Sequence, residues 1–218
     1  MPRLTPEILV RAYSIGIFPM GRSRKDARIH WIDPDERGII PLDGFHLSHS
    51  LKKTVRRQPF EIRCDSAFEQ VIRKCAEPRP DHDDTWINDG IVDLYCRLFA
   101  QGIAHSVECW QDGELVGGLY GLALGAAFFG ESMFSRATDS SKVALVHLVA
   151  SLRKQGFRLL DCQFVNDHLV QFGVIEIPRA DYHQRLAEAL RHAAQFQGVL
   201  DGAEALALLS SQSLTQMS

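Results

Sequence analysis

Apolar positions recur along this chain at helical spacing in some stretches and at every second residue in others, and the changes of period mark its elements. Thr5-Pro6-Glu7 predicts a helix start, with Thr5 as the cap and Pro6 in the first helical position. That helix runs to about Ile15 and ends at Gly16. Phe18-Pro19-Met20-Gly21 and a basic loop from Arg22 to Arg28 follow. Asp33-Pro34-Asp35-Glu36-Arg37-Gly38 then reads as a turn between two short extended pieces. A helix is predicted over about Ser50 to Arg57.

From Phe60 the pattern is more regular. Phe60 to Cys64 alternates as a strand, and Ser66 is placed to cap a helix to about Cys75. Pro78 to Asp84 is a loop, after which Asn88 or Asp89 caps a helix to about Ala100. His105 to Trp110, Glu114 to Leu124 and Ala126 to Phe134 predict an antiparallel meander, with the hairpin dipeptide Asp112-Gly113 at its first turn. Ser140 or Ser141 caps a helix to about Gln155, stopped by Gly156. Arg158 to Cys162 is a strand, Asn166 to Phe172 a short helix, Val174 to Ile177 a strand and Ala180 to about Gln195 a helix. The stretch 196–218, rich in Ser, Gln and Ala, reads as a loose tail or a short helix.

This order predicts an α+β protein in three parts. Residues 1–60 form a small basic N-terminal domain. Residues 61–195 form a catalytic domain with a central, mostly antiparallel sheet like that of the acetyltransferases (GNAT-like), and 196–218 a C-terminal tail. The acetyltransferase likeness is an analogy of element order, which licenses no chemistry by itself.

Composition narrows the classes. With 218 residues, 45% hydrophobic and 23% charged, the chain buries a sizeable core without a metal or disulfide staple. No apolar run approaches the ~20 residues of a membrane helix, and the first residues lack the apolar centre of a secretion signal, so a soluble cytoplasmic protein is expected. The five cysteines are scattered with no Cys-x-x-Cys, and the nine histidines form no His-Glu-x-x-His, so neither disulfides nor a metal site is expected. The net charge of −3 divides unevenly: residues 1–60 carry 11 Lys/Arg against 6 Asp/Glu, and the remainder is acidic. Lys52, Lys53, Arg56 and Arg57 would share about one helix face, a candidate contact for a polyanion, with Arg22, Arg24 and Lys25 nearby in sequence.

Two segments look chemical. Glu131 falls among Phe128, Phe129, Met133 and Phe134, where a carboxylate is costly unless paired or used. The strand Leu159-Leu160-Asp161-Cys162-Gln163 enters apolar and leaves polar. Asp161 and Gln163, two apart, point to one face, where they could hold a nucleophilic amine; the plainer alternative is that Asp161 caps the following turn. Cys162 points the other way and reads as a core thiol. On the chemical reading, Asp161 contributes little to the core and its loss spares the fold. Trp86 and Trp31 are loop aromatics able to stack on a base.

Taken together, Tyr13-Ser14-Ile15-Gly16-Ile17-Phe18-Pro19, Phe45-His46-Leu47-Ser48-His49-Ser50, Thr85-Trp86-Ile87, Ala104-His105-Ser106-Val107-Glu108, Leu115-Val116-Gly117-Gly118-Leu119-Tyr120-Gly121, Gly130-Glu131-Ser132-Met133-Phe134-Ser135-Arg136, Ser141-Lys142-Val143-Ala144-Leu145, Leu160-Asp161-Cys162-Gln163 and His168 resemble the leucyl/phenylalanyl-tRNA–protein transferases, the bacterial N-end-rule enzymes. The resemblance covers about residues 4–190 in unbroken order. It implies transfer of Leu or Phe, with Met as a further candidate donor, from aminoacyl-tRNA to proteins with N-terminal Arg or Lys, marking them for degradation. No cofactor and no membrane partner are expected, and with no oligomer signal in the sequence a monomer is the default. By the same resemblance Leu119, Phe128, Gly130, Met133, Leu148 and Leu160 line the amino-acid pocket and Trp86 lies near the terminal adenosine. Glu131, Asp161 and Gln163 match the polar residues of the reaction. The family's Phe-Pro-Trp is Phe18-Pro19-Met20 here, and its Trp-Trp is Trp31-Ile32, so one aromatic surface is missing. The alternatives are a related acyltransferase using arginyl-tRNA or acyl-CoA, and a non-catalytic RNA- or peptide-binding protein.

Overall fold

A computed structural model describes residues 4–21, 23–24, 28–78 and 85–210. The elements in chain order are α1 (Pro6–Ser14), β1 (Phe18–Gly21), β2 (Ile29–Ile32), β3 (Glu36–Ile39), α2 (His49–Arg57), β4 (Glu61–Cys64), α3 (Phe68–Cys75), α4 (Asp89–Ala100), β5 (Ala104–Gln111), β6 (Glu114–Leu124), β7 (Ala127–Ser135), α5 (Ser140–Lys154), β8 (Leu159–Gln163), α6 (Asp167–Val170), β9 (Ile175–Pro178), α7 (Arg179–Leu190) and α8 (Gly202–Ser210).

Seven strands form one mixed but mostly antiparallel sheet in the order β4-β5-β6-β7-β8-β3-β9, and β1 pairs with β2 in a separate ribbon. Among the described residues the one parallel pair is β7 with β8, which α5 joins as a crossover. Apolar side chains alternate onto both sheet faces and so build two cores. One holds Leu9 and Tyr13 of α1, Val71 and Ile72 of α3, Ile91 and Tyr95 of α4 and Tyr182 of α7. The other holds Leu51 and Val55 of α2, most of α5 and Leu206 of α8. The helix α5 is buried nearly all round because it is covered by the sheet below and by α2 and α8 above.

Several local readings hold. Thr5 caps α1, accepting from the Ile8 amide, and Asn88 caps α4, accepting from the Ile91 amide at 3.0 Å. Asp112 and Gly113 both take positive φ, at 51° and 79°, as the tight hairpin turn requires.

Others give way to tertiary contacts. The segment read as a turn before Gly38 contains β3, which lies between β8 and β9 inside the main sheet although its sequence belongs to the first 60 residues. A side chain at Gly38 would press into the Phe164–Val165 backbone, its Cβ 2.8 Å from the Phe164 carbonyl carbon. Ser66 does not cap α3 with its own hydroxyl; the buried Glu108 of β5 caps the helix from across the fold, accepting from the amides of Ser66 at 3.0 Å and Ala67 at 2.8 Å. The cap position of α5 is Asp139, in the left-handed region, and the Ser140 hydroxyl instead bonds the Val116 carbonyl at 3.0 Å. The last predicted helix ends early, at Leu190, and the stretch beyond it is not loose through residue 210. Phe196 is buried, its ring 5.6 Å from that of Phe128, and α8 packs on α2 and α5. Residues 211–218, with Arg22 and Lys25, lie outside the described residues.

Candidate active site

The site lies where β7 and β8 part. They are paired only from Ala127 opposite Leu159 to Phe129 opposite Asp161, so Gly130 onward and Cys162–Gln163 diverge. Glu131 sits two residues past the last pair on β7, and Gln163 two past it on β8. On its other side β7 carries a bulge: Tyr120 is opposite Ser132 but Gly121 is opposite Gly130, leaving Glu131 as the extra residue. In a regular strand residues two apart share a face. Here Glu131 reaches Tyr13 and Tyr95 in one core, while Met133 packs against the other.

The Tyr13 hydroxyl donates to Glu131 Oε1 at 2.6 Å. The Tyr95 hydroxyl lies 3.0 Å from Oε2 and 2.6 Å from the Tyr13 hydroxyl. Gln163 Nε2 donates to Oε1 at 3.4 Å, and among the described residues Gln163 Oε1 accepts no hydrogen bond. Burial pushes the Glu131 carboxyl up to about 7; the tyrosine hydrogen bonds and Arg37 pull against that, and the charge of Asp161 adds to it. The phenols of Tyr13 and Tyr95 are held well above their ordinary range by burial and by the Glu131 charge, so both keep their protons.

Asp161 is fully buried and fully used. Arg37 Nε donates to its Oδ1 at 2.9 Å and Arg37 Nη2 to its Oδ2 at 2.6 Å. The Tyr182 hydroxyl donates to Oδ2 at 2.8 Å and the Gln163 amide to Oδ1 at 2.8 Å. The guanidinium is sandwiched between the Phe18 and Tyr182 rings, 4.5 and 4.4 Å from their centroids, and donates to the Gly16 carbonyl at 3.0 Å. Burial alone would lower its pKa, but the Asp161 hydrogen bonds and charge outweigh burial and raise it above the ordinary arginine value. The expectation that Asp161 is dispensable to the fold is therefore corrected: it is half of a buried ion pair. Its bond to the Gln163 amide is the turn-capping role, and it holds Gln163 in the left-handed region at φ 61°. Asp161 and Gln163 do share a face, and burial holds the Cys162 thiol well above its usual range, in keeping with a core thiol.

The residues expected to line the amino-acid pocket fall into two groups. Leu119, Phe128, Leu148 and Leu160 are closed core around α5, while Gly130 and Met133 keep partial exposure on the diverging part of β7. Trp86 packs against the opposite core, the one that contains Tyr13. Two open cavities, of about 690 and 510 Å³, lie elsewhere; Arg153, Arg158 and Arg185 line the first and His147 and Phe60 the second, and none of the expected pocket residues borders either. Lys53, Arg56 and Arg57 are exposed on α2 and Lys52 is partly so, and none of the four forms an ion pair among the described residues. Arg24 is turned to the Ala76 carbonyl. No cluster of metal-ligating side chains occurs among the described residues, and no helix among them is long and apolar enough to cross a membrane.

The family model for leucyl/phenylalanyl-tRNA protein transferase matches residues 39–187, and that for its N-terminal domain matches residues 3–35. The chain belongs to this family. The leucyl/phenylalanyl-tRNA–protein transferase of Paramagnetospirillum magneticum is 62% identical over 90% of this chain and 94% of its own length. That of Rhodospirillum rubrum is 54% identical over 98% of this chain and 99% of its own length. Among solved structures, L-PGS from Bacillus licheniformis aligns over 97% of this chain and 71% of that chain at 10% identity with a TM-score of 0.39, a likeness too distant to bear on the site.

Within this transferase, residue patterns alone picked out Glu131, Asp161 and Gln163, which the fold brings together, but missed Arg37, Tyr95 and Tyr182. Arg37 sat in a polar run that reads as a turn. The tyrosines lie on amphipathic helices, where an apolar ring is indistinguishable from packing. Tyr13 carried a signal, since it opens one of the stretches shared with the family.

Proposed function

We propose that this protein transfers leucine or phenylalanine from aminoacyl-tRNA to the α-amine of proteins that begin with Arg or Lys, in the cytoplasm and as a monomer. The observation that carries this reading is the 62% identity over 90% of the chain to a leucyl/phenylalanyl-tRNA–protein transferase. The site supports it. The acetyltransferase-like assignment of the larger domain belongs to the same proposal and draws on the parting of β7 from β8, a splay that would admit an acyl donor.

The reaction is aminolysis of an ester, and the attacking amine must be neutral. Asp161 cannot take its proton directly, because every face of that carboxylate is occupied. Gln163 Oε1 is available to accept an N–H of the amine, while Asp161 fixes the Gln163 backbone and Gln163 Nε2 reaches Glu131. Ester and amine are intrinsically reactive, so holding them in register supplies much of the rate. Gly130 and Met133 would meet the donor side chain at the mouth of the site, and Trp86 the adenosine. The four cations of α2 would meet tRNA phosphates.

The test uses purified protein, tRNA charged with labelled Leu, Phe, Met or Arg, and a peptide beginning with Lys. Transfer from leucyl- or phenylalanyl-tRNA is expected. Transfer only from arginyl-tRNA or acyl-CoA, or binding without transfer, would overturn the reading. Gln163→Gly suits the positive φ, so it should fold within about 1 kcal/mol of wild type yet transfer at least tenfold more slowly.

A further inference from the structure

Three oxygen-to-oxygen contacts close a triangle in the site. Tyr13 Oη lies 2.6 Å from Glu131 Oε1, Tyr95 Oη lies 3.0 Å from Glu131 Oε2, and the two phenolic oxygens lie 2.6 Å apart. Each contact is at hydrogen-bond distance, so each needs a proton between its oxygens. The phenols bring one proton apiece. If Glu131 were ionised, one of the three edges would hold two facing lone pairs in a buried setting, a costly arrangement. A third proton, on the carboxyl group, removes the deficit: Glu131 Oε2–H donates to Tyr95, Tyr95 donates to Tyr13, and Tyr13 donates to Glu131 Oε1. Every edge is then satisfied, and the bonds run in one direction round the ring, where they reinforce one another.

We propose that Tyr13, Tyr95 and Glu131 form a closed three-proton ring in the free protein, so that Glu131 enters the reaction as a neutral carboxylic acid with the two tyrosines as the positioning residues that hold it so. The groups facing Glu131 from the packed elements are Tyr13 of α1, Tyr95 of α4, Tyr120 of β6, Arg37 of β3, and Asp161 and Gln163 of β8. Arg37 and Asp161 are paired with each other, so their opposite effects on the carboxyl group largely cancel. Burial pushes the carboxyl up to about 7 even with both tyrosines donating to it, and a ring in which Glu131 donates to Tyr95 adds to that rise.

The role in transfer rests on the proposed aminoacyl reaction. There a C–N bond forms and the C–O bond to the ribose breaks, the nitrogen loses one proton and the ribose oxygen gains one. A neutral Glu131 that gives its proton to the departing oxygen and takes the one leaving nitrogen ends with the ring's three protons restored.

The test is infrared difference spectroscopy on the protein without tRNA, wild type minus Glu131→Gln, following the C=O stretch of a protonated carboxylic acid against pH. This readout is independent of transfer, so its failure is distinct from failure of the functional reading. A protonated-acid band is expected at about pH 6, disappearing only at about 7 or above. Its absence at that pH overturns the proposal, and that arm needs no tyrosine variant. The tyrosine variants discriminate by sign. In a ring, Tyr13→Phe or Tyr95→Phe removes the need for the third proton, and the apparent pKa of Glu131 falls by roughly a unit or more. If the tyrosines merely donate to a carboxylate, either change raises it. A rise, or no change, in the variant that folds overturns the ring.

Discussion

Arg37 and Asp161, 124 residues apart in the chain, meet through two parallel hydrogen bonds at 2.9 and 2.6 Å where the side chains are 1% and 0% exposed. This pair ties β3 to β8 and places the Gln163 backbone, so it joins the chain's N-terminal part to the candidate site. Removing one member of a buried pair strands the other charge, which costs about 3–5 kcal/mol. Asp161→Ala should therefore lose that much stability by urea unfolding, besides losing transfer. Replacing both partners, as Arg37→Met with Asp161→Leu, should cost clearly less. Equal stability of Asp161→Ala and wild type would show that the pair adds nothing to the fold.

Glu131 makes stability depend on pH in a defined sense. Its folded value of about 7 lies above the ordinary 4.5, so the folded state holds the proton more tightly than the unfolded chain. The resulting stability is fully present below about 4.5 and is lost as pH rises through about 7. Over that window wild type should lose stability relative to Glu131→Gln, with a slope of up to roughly 1.4 kcal/mol per pH unit. Urea midpoints at matched pH values check this, and parallel profiles for the two proteins would contradict it.

Glu108 is a third buried carboxylate, and it caps α3. It accepts from the amides of Ser66 and Ala67, from the Ser106 hydroxyl at 2.8 Å, from Trp110 Nε1 at 3.0 Å and from the Ser66 hydroxyl. Glu108→Gln would turn an amide N–H₂ toward these donors. A loss of about 2 kcal/mol or more is expected, with faster amide exchange at Ser66 and Ala67. Unchanged exchange at those amides would remove Glu108 as the cap of α3.

The cations of α2 give a prediction in salt. If Lys52, Lys53, Arg56 and Arg57 meet tRNA phosphates, affinity should fall with a log–log slope of roughly −0.7 to −0.9 per phosphate contacted. Replacing all four by Gln should weaken tRNA binding and flatten the slope, while a minimal aminoacyl-adenosine donor is still used. Equal affinity and slope for the two proteins would mark the patch as an ordinary solvated face.

The chain's own pattern determined most of its elements, because local chemistry decides them. Alternation gave the β5–β6–β7 meander, Asp112-Gly113 the hairpin, and Thr5 and Asn88 their helix starts. It also singled out Glu131, Asp161 and Gln163, since polar groups in apolar strands are costly enough to stand out. What only the tertiary structure decided depends on contacts distant in sequence. The helix α3 is capped by a strand 41 and 42 residues further along, β3 finds its partners in β8 and β9, and the bulge at Glu131 exists only against β6. Above all, Asp161 reads along the chain as an available base. In the folded protein the buried cation opposite it makes it a fixed anchor, because a charge taken out of water must be met by another, and no local pattern tells which residue will meet it.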